Sequence, residues 1–523
     1  MTSPATTASA VPAAERTEVD VAVIGGGFSG IGAGILLDRA GFGDYLVLEA
    51  GDGLGGAWHW NTYPGVAVDI PSFSYQFSFE QKSGWSRVYA PGEELKAYAE
   101  YCVDKYDVRR RTRLHTTVTR AVFDDATSRW TLEFADGGSL VARYVVGATG
   151  VLTQPKLPEI DGVESFAGIT MHTARWDHDV DLAGKRVGII GTGASAVQVI
   201  PSIAPEVEHL TVFQRTPIWC LPKPDGPITL PVRTLLKVPG GKRVARLASQ
   251  TFVEVTFPLA AHFHGLVPTA GLGERQARAY LRKAVTDPEV RAKLTPDYDL
   301  GCKRPSFSNS YLPTFNRANV HLETTSIEAI TPAGVRTSDG VEHEVDVLIM
   351  ATGFKVFEHG NMPTFEVIGS GGRDLEAWWE ANRFQAYQGV SVPEFPNFFS
   401  ILGPYGYNGS SYFNLIETQM AHIVRLLKRA RRQRADRIEV TPQAHERYWK
   451  RQLGRRRHQV FFQGGCGQAN SYYFDAHGDV PFRASPTLET MWTSSHFPLD
   501  DYTFSRSSER GATREPVGAA AEG

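Results

Sequence analysis

Two stretches of this chain carry one and the same constraint. The first, "VDVAVIGGGFSGIGAGILLDRAGFGDYLVLEAG" (19–51), is a short apolar run, a glycine turn, a helical run and a second apolar run, with Gly25, Gly27 and Gly30 in GxGxxG spacing. The second, "KRVGIIGTGASAVQVIPSIAPEVEHLTVFQRTP" (185–217), repeats the pattern with Gly191, Gly193 and Ala196. The three small residues allow, in turn, a tight turn, close approach of backbone to a pyrophosphate, and close packing of helix on strand. The helix N-terminus that follows is built to hold a diphosphate. Two such units predict an α/β chain with two Rossmann-like dinucleotide-binding domains.

The ends of the two units differ. Glu49 closes the first, 19 residues after Gly30, placed to accept hydrogen bonds from ribose hydroxyls. The second ends in "FQRTP", with Gln214 and Arg215 where a carboxylate would repel a 2′-phosphate. A guanidinium clasps that phosphate with two charge-assisted bonds, so the second site is expected to prefer NADPH over NADH. Two dinucleotide folds in one chain suggest a tightly held flavin, as FAD, beside an exchanging nicotinamide. "YVVGATG" (144–150) and "VDVLIMATGF" (346–354) are apolar strands ending in ATG, read as the turns that carry the chain between the two domains.

Composition narrows the class. A net charge of −3 over 523 residues gives no field favouring nucleic acid or an anionic membrane. Cys102, Cys220, Cys302 and Cys466 lie far apart without CxxC or CxxxxC spacing, which argues against a metal cluster, a redox disulfide and a secreted disulfide framework and makes a reducing cytoplasm the default. Two-domain flavoproteins divide into disulfide reductases and monooxygenases, and the missing cysteine pair disfavours the first. "FVEVTFPLAAHFHGLV" (252–267) is too short and polar to span a bilayer and reads as a buried or channel-lining helix. "RLLKRARRQRADR" (425–437) has Leu426, Leu427 and Ala430 at helical spacing and reads as a solvated helix.

Between the two glycine loops lies "FAGITMHTARWD" (166–177), with fixed points Phe166, Gly168, His172, Trp176 and Asp177. Together with "GGAWHWNTYPGVAVD" (55–69) it resembles the type I Baeyer–Villiger monooxygenases, whose patterns are FxGxxxHxxxW followed by Pro or Asp, and GGxWxxxxYPGxxxD. The resemblance runs from residue 19 to about 486. It implies an NADPH- and O2-dependent flavoprotein that converts a ketone to an ester or lactone through a flavin C4a-peroxide. An N- or S-oxygenating flavin monooxygenase is the alternative, and a non-catalytic NADP(H) sensor a more distant one.

The resemblance also implies roles. In "GCKRP" (301–305), Arg304 takes the place of the catalytic arginine and Lys303 that of the lysine reaching the 2′-phosphate, with Arg215 and Thr216. Asp69 pairs with the arginine. Ala57, Trp58, His59 and Trp60 wrap the flavin, a shell that Asp69 and Tyr75 continue. The fingerprint, His172 above all, couples rotation of the NADPH domain to turnover. "FFSILGPYGYNGSS" (398–411) is expected near the flavin ring. Tyr472, in "GCGQANSYYFDAHGD" (465–479), stands where the family usually has a tryptophan that reaches NADP+ from a mobile loop.

The organisation expected is a discontinuous FAD domain (18–151 and 385–504), an NADP domain (152–222 and 333–384), a helical insertion capping the substrate site (223–332), and disordered tails (1–17 and 505–523). Partners are O2 and a small-molecule ketone, without nucleic acid, membrane insertion or metal.

Overall fold

The computed structural model describes residues 15–266, 270–467 and 469–507. The chain opens as the first glycine motif requires. Strand β1 (Glu18–Ile24) runs into helix α1 (Phe28–Arg39) and parallel strand β2 (Tyr45–Leu48), followed by the short α2 (Ala57–Trp60) and by α3 (Gly92–Lys105). Strands β3 (Thr112–Arg113), β4 (Val118–Asp124), β5 (Arg129–Phe134) and β6 (Ser139–Gly147) complete most of the first sheet. β6 lies parallel to β1 and antiparallel to β5.

The second unit begins with the fingerprint strand β7 (Ile169–His172). It continues through β8 (Arg186–Ile190), α4 (Ala194–Ile203) and β9 (His209–Phe213). After β10 (Cys220–Leu221) come helices α5 (Leu230–Lys237), α6 (Gly241–Glu254), α7 (Ala260–His262), α8 (Ala270–Ala284) and α9 (Pro288–Lys293). β11 (Ser306–Phe307) returns to pair with β10, and β12 (Val320–Glu323) joins β9. The hairpin strands β13 (Ile327–Ile330), β14 (Gly334–Thr337) and β15 (Glu342–Glu344) precede β16 (Val347–Met350). The second sheet is parallel throughout, in order β12-β9-β8-β16-β7. Its central strands are apolar on both faces because both are covered, one by α4 and the other by β13 and β14.

Two later strands return to the first sheet. β17 (Glu366–Ile368) lies parallel to β4, and β18 (Phe398–Ser400) lies parallel to the last three residues of β6. β5 pairs with β6 only as far as Ala142, which leaves Val145–Gly147 free to accept the new strand. Thus β12 falls inside the expected insertion, and β17 falls inside the span expected for the NADP unit.

Much of the expected tails lies outside the described residues. Within them, Arg16 pairs with Asp44, and strand Tyr502–Ser505 pairs antiparallel to Arg437–Val440. Of the basic stretch 425–437, residues 425–433 form the end of the 22-residue helix Tyr412–Gln433, with Leu426, Leu427 and Ala430 buried.

Separate cores underlie the two units. One gathers β1, α1, α3 and the Tyr412–Gln433 helix around Phe28, Phe77, Tyr98 and Phe413. Another gathers β8, α4, β9 and β16 around Val187, Ile189, Ile200 and Val212.

Candidate active site

A single cavity of about 1710 Å³ runs between the units and is lined by both glycine loops. That exceeds the ~300–1,000 Å³ of a site for one drug-sized ligand. Gly25, Gly27, Gly191 and Gly193 all lie on its wall. A Cβ on Gly30 would stand 1.9 Å from the Gly25 carbonyl oxygen, which is the helix–strand approach that residue permits. Gly27 and Gly56 close on each other so tightly that a Cβ on Gly56, at φ +56°, would meet Gly27 Cα at 2.8 Å. A Cβ on Gly193 would meet no protein atom within 4 Å and would project into open space. Ala196, the last small residue of the second motif, is fully buried against its sheet.

Around the first loop the side chains are fixed to one another. Glu49 accepts hydrogen bonds from the Gly26 and Gly51 amides, at 2.6 and 2.7 Å, so its carboxylate braces the loop while facing the cavity. Trp58 Nε1 donates to Tyr75 Oη at 3.2 Å, and the two rings meet edge to face. Ala57, Trp58, Trp60 and Tyr75 line the cavity. His59 turns away, its Nε2 2.7 Å from Asp52.

The second loop ends at two cations. Arg215 and Lys303 both line the cavity, and neither has a salt bridge among the described residues. Burial, aided by the neighbouring Arg215 charge, pulls the Lys303 ammonium down to about 8. Two cations close enough to oppose each other and lacking a counter-ion make a seat for a dianion. Thr216 is tied into the same corner: its carbonyl accepts from Thr192 Oγ1 at 3.0 Å, and its hydroxyl from Asn470 Nδ2 at 3.1 Å.

Where the two halves meet, Arg304 donates to Asp69 through Nε at 2.6 Å and through an Nη at 2.9 Å. The pair keeps 25% and 35% of its side-chain surface open, and that surface faces the cavity. Burial alone would push Asp69 toward its neutral form. The Arg304 charge outweighs it and holds the carboxyl below its usual range. Burial likewise works against Arg304, and Asp69 overcomes it, so the guanidinium is charged at every accessible pH. Phe257 lies 5.8 Å from the guanidinium, and Tyr407, Tyr472 and Tyr473 complete this wall. Burial pushes the Tyr407 phenol up to about 12 against the pull of Arg304. The arrangement offers a permanent cation, held by its own carboxylate, in an aromatic enclosure beside both nucleotide loops.

The fingerprint residues stand behind this wall. His172 ends the edge strand β7, paired with Met350 of β16. Its Nδ1 accepts from the Ala174 amide at 3.0 Å, its Nε2 is buried without a hydrogen-bond partner, and burial together with Arg175 lowers its pKa. Its ring meets Phe354 edge to face at 6.2 Å, just after the second ATG turn. There the two crossovers bind each other, Lys156 to Gly353 at 2.9 Å and Lys355 to Gln154 at 3.0 Å. A Cβ on Gly168 would stand 2.5 Å from the Asp346 carbonyl oxygen. Phe166 and Trp176 pack against cores of the second unit, while Asp177 accepts from the Asp179 amide at 3.0 Å.

Three features escaped sequence reasoning. Arg175, inside the fingerprint but not one of its fixed points, is the member of that stretch lining the cavity, and its guanidinium lies 4.2 Å over the Trp60 ring of the first unit. Phe257 sits in a single π-turn, Val255–Leu259, that brings it to the cavity wall. The cysteine expectation is corrected: Cys302 and Cys466 form a disulfide, with Cα atoms 5.1 Å apart across 164 residues of sequence. Spacing along the chain said nothing of that proximity. Cys102 and Cys220 remain free and buried.

A family model described as pyridine nucleotide-disulphide oxidoreductase matches residues 22–234, the stretch that holds both glycine loops. A "Baeyer-Villiger monooxygenase" of Pseudomonas aeruginosa is 39% identical over 465 residues, 87% of this chain and 85% of the relative. Among solved structures, a steroid monooxygenase bound to NADP superposes with a TM-score of 0.83 at 30% identity, covering 94% of this chain and 100% of that one. A cyclohexanone monooxygenase from Rhodococcus sp. Phi1 bound to NADP+ gives 0.83 at 31% identity, with the same coverage.

Proposed function

The chain belongs to the Baeyer–Villiger monooxygenases, and we propose that it is an NADPH- and O2-dependent flavoprotein converting a small-molecule ketone to an ester or lactone. The observation that carries this reading is the Arg304–Asp69 pair at the junction of two nucleotide-shaped half-cavities. The first half fits FAD, because Gly27 and Gly56 leave no side chain between backbone and pyrophosphate. The second half fits NADPH, because Arg215 and Lys303 offer two unpaired cations to a 2′-phosphate. Bound FAD, reduced by NADPH, supplies the chemistry that activates O2.

The chain's own residues do the rest. Arg304 presents a fixed positive charge that stabilises anionic oxygen at the cavity wall, and Asp69 orients it by two hydrogen bonds. Trp58, Tyr75, Phe257, Tyr407 and Tyr473 exclude water from that charge, which strengthens its field. Arg175 on Trp60 and His172 beneath the paired crossovers join the two units at the places where their relative position is set. We place the enzyme in the cytoplasm, where NADPH is supplied. Among the described residues no helix is long and apolar enough to cross a membrane.

The test is product analysis. Purified protein with FAD, NADPH and O2 is offered ketones and amines side by side. Ester or lactone from a ketone, with matching NADPH consumption, is expected. Amine N-oxide with unchanged ketone overturns the reading.

A further inference from the structure

Helix α6 is inverted. Its inward face is largely polar: Arg246 donates to the Gln76 carbonyl at 2.7 Å and to Asn414 at 2.9 Å, and Ser249 bonds Ser74 at 2.7 Å. Its outward stripe is apolar, with Val244 68% and Leu247 69% exposed. Neighbouring α5 buries Leu236 yet leaves Leu230 76% and Leu235 66% exposed. The helix Thr487–His496 starts beside the end of α6, its Thr487 amide donating to Glu254 at 3.1 Å, and adds Leu488 and Trp492, 80% and 64% exposed. A soluble surface helix turns its apolar side inward, so among the described residues this face lacks its partner.

Charge identifies the partner. From Leu230 to Glu254 the two helices hold five cations (Arg233, Lys237, Lys242, Arg243 and the inward Arg246) and a single acid, Glu254, which closes α6. Lys237, Lys242 and Arg243 are exposed beside the apolar stripe. The flanking acids are engaged, Asp225 in an ion pair with Arg87 at 2.9 Å and Glu254 with the Thr487 amide. A second copy of the chain packed on this face would bring like cations together, since a two-fold contact sets the same patch against itself. An anionic bilayer meets both features at once: acyl chains for the apolar stripe and headgroups for the cations.

We propose that the α5–α6 hairpin is an interfacial docking surface that seats the enzyme on an anionic lipid membrane without spanning it. The chain's net charge of −3 hides this, because the local excess of cations on the hairpin is offset by acids elsewhere. α6 runs on directly into the π-turn that carries Phe257 to the cavity, so the lipid-facing surface and the cavity wall share one continuous segment.

The test uses the FAD-loaded enzyme and vesicles of phosphatidylcholine with or without phosphatidylglycerol, separated by flotation. Co-flotation with the anionic vesicles, reversed by high salt, is expected. The double variant V244E/L247E abolishes it while flavin content, melting temperature and NADPH oxidation stay as in the parent. Neutralising Lys237 and Arg243 to glutamine weakens partitioning about fivefold per charge. Failure of the parent to float with anionic vesicles overturns the proposal. So does light scattering that finds the parent dimeric and V244E/L247E monomeric, which gives the face to a second copy.

Discussion

Arg304 and Asp69, 235 positions apart in sequence, meet in a two-bond contact with both open edges turned to the cavity. Each holds the other in its charged form against burial. A cation secured in this way needs no reorganisation when negative charge develops beside it, which is the condition for electrostatic catalysis.

Replacing Arg304 with alanine should therefore separate coenzyme oxidation from product formation. FAD stays bound and NADPH is still oxidised, while ester formation falls by about 10²–10³-fold and H2O2 is released instead. Asp69→Ala keeps the cation but frees it, so the loss is milder, roughly tenfold to a hundredfold. Parallel assays of NADPH, H2O2 and ester measure the split, and normal ester yield from Arg304→Ala removes the arginine from the mechanism.

Lys303 gives a pH dependence with a definite sign. Burial pulls its ammonium down to about 8, and a bound phosphate raises that value by stabilising the charge. NADPH affinity is therefore full below pH 8 and falls as pH rises through it, by up to about a hundredfold. Lys303→Arg flattens the fall, because a guanidinium stays charged. NADH binding shows neither effect. Titration calorimetry between about pH 7 and about pH 10 checks it, and a flat NADPH profile in the parent contradicts the phosphate contact.

The glycines of the first loop divide by what their Cβ would strike. Gly30→Ala drives a methyl into the Gly25 carbonyl at 1.9 Å and should cost fold stability outright. Gly27→Ala meets only the Gly56 backbone, its Cα at 3.4 Å and its nitrogen at 3.8 Å, so the protein folds but loses the clear backbone surface that a diphosphate needs. Flavin content and melting temperature, read together, should fall together for Gly30→Ala and separately for Gly27→Ala. A fully yellow Gly27→Ala protein moves the flavin elsewhere.

Arg175 bridges the units through the Trp60 ring. Arg175→Ala should leave flavin content unchanged and slow flavin reduction by NADPH several-fold, since a cation–π contact is worth about 0.5–2 kcal/mol. Arg175→Lys restores part of it. Anaerobic stopped-flow reduction reads the effect, and an unaltered rate would place the contact outside turnover.

What the sequence disclosed follows the range of the interactions involved. The glycine loops were legible because turn, helix start and strand lie within a few residues of each other. The Arg304–Asp69 pair was reached only through family resemblance, since nothing local to "GCKRP" points to a carboxylate in "YPGVAVD". Arg175 stayed hidden because its partner, Trp60, lies in the other unit. The return of β18 to the middle of the first sheet was equally invisible, because it depends on where β5 stops pairing with β6.

The disulfide ties two of these distant pieces together. Cys302 directly precedes the cavity-lining Lys303, and Cys466 precedes Tyr472 and Tyr473 on the cavity wall. Neither piece can shift without dragging the other. While that bond is closed, a displacement of the Lys303 segment is passed covalently to the tyrosine loop.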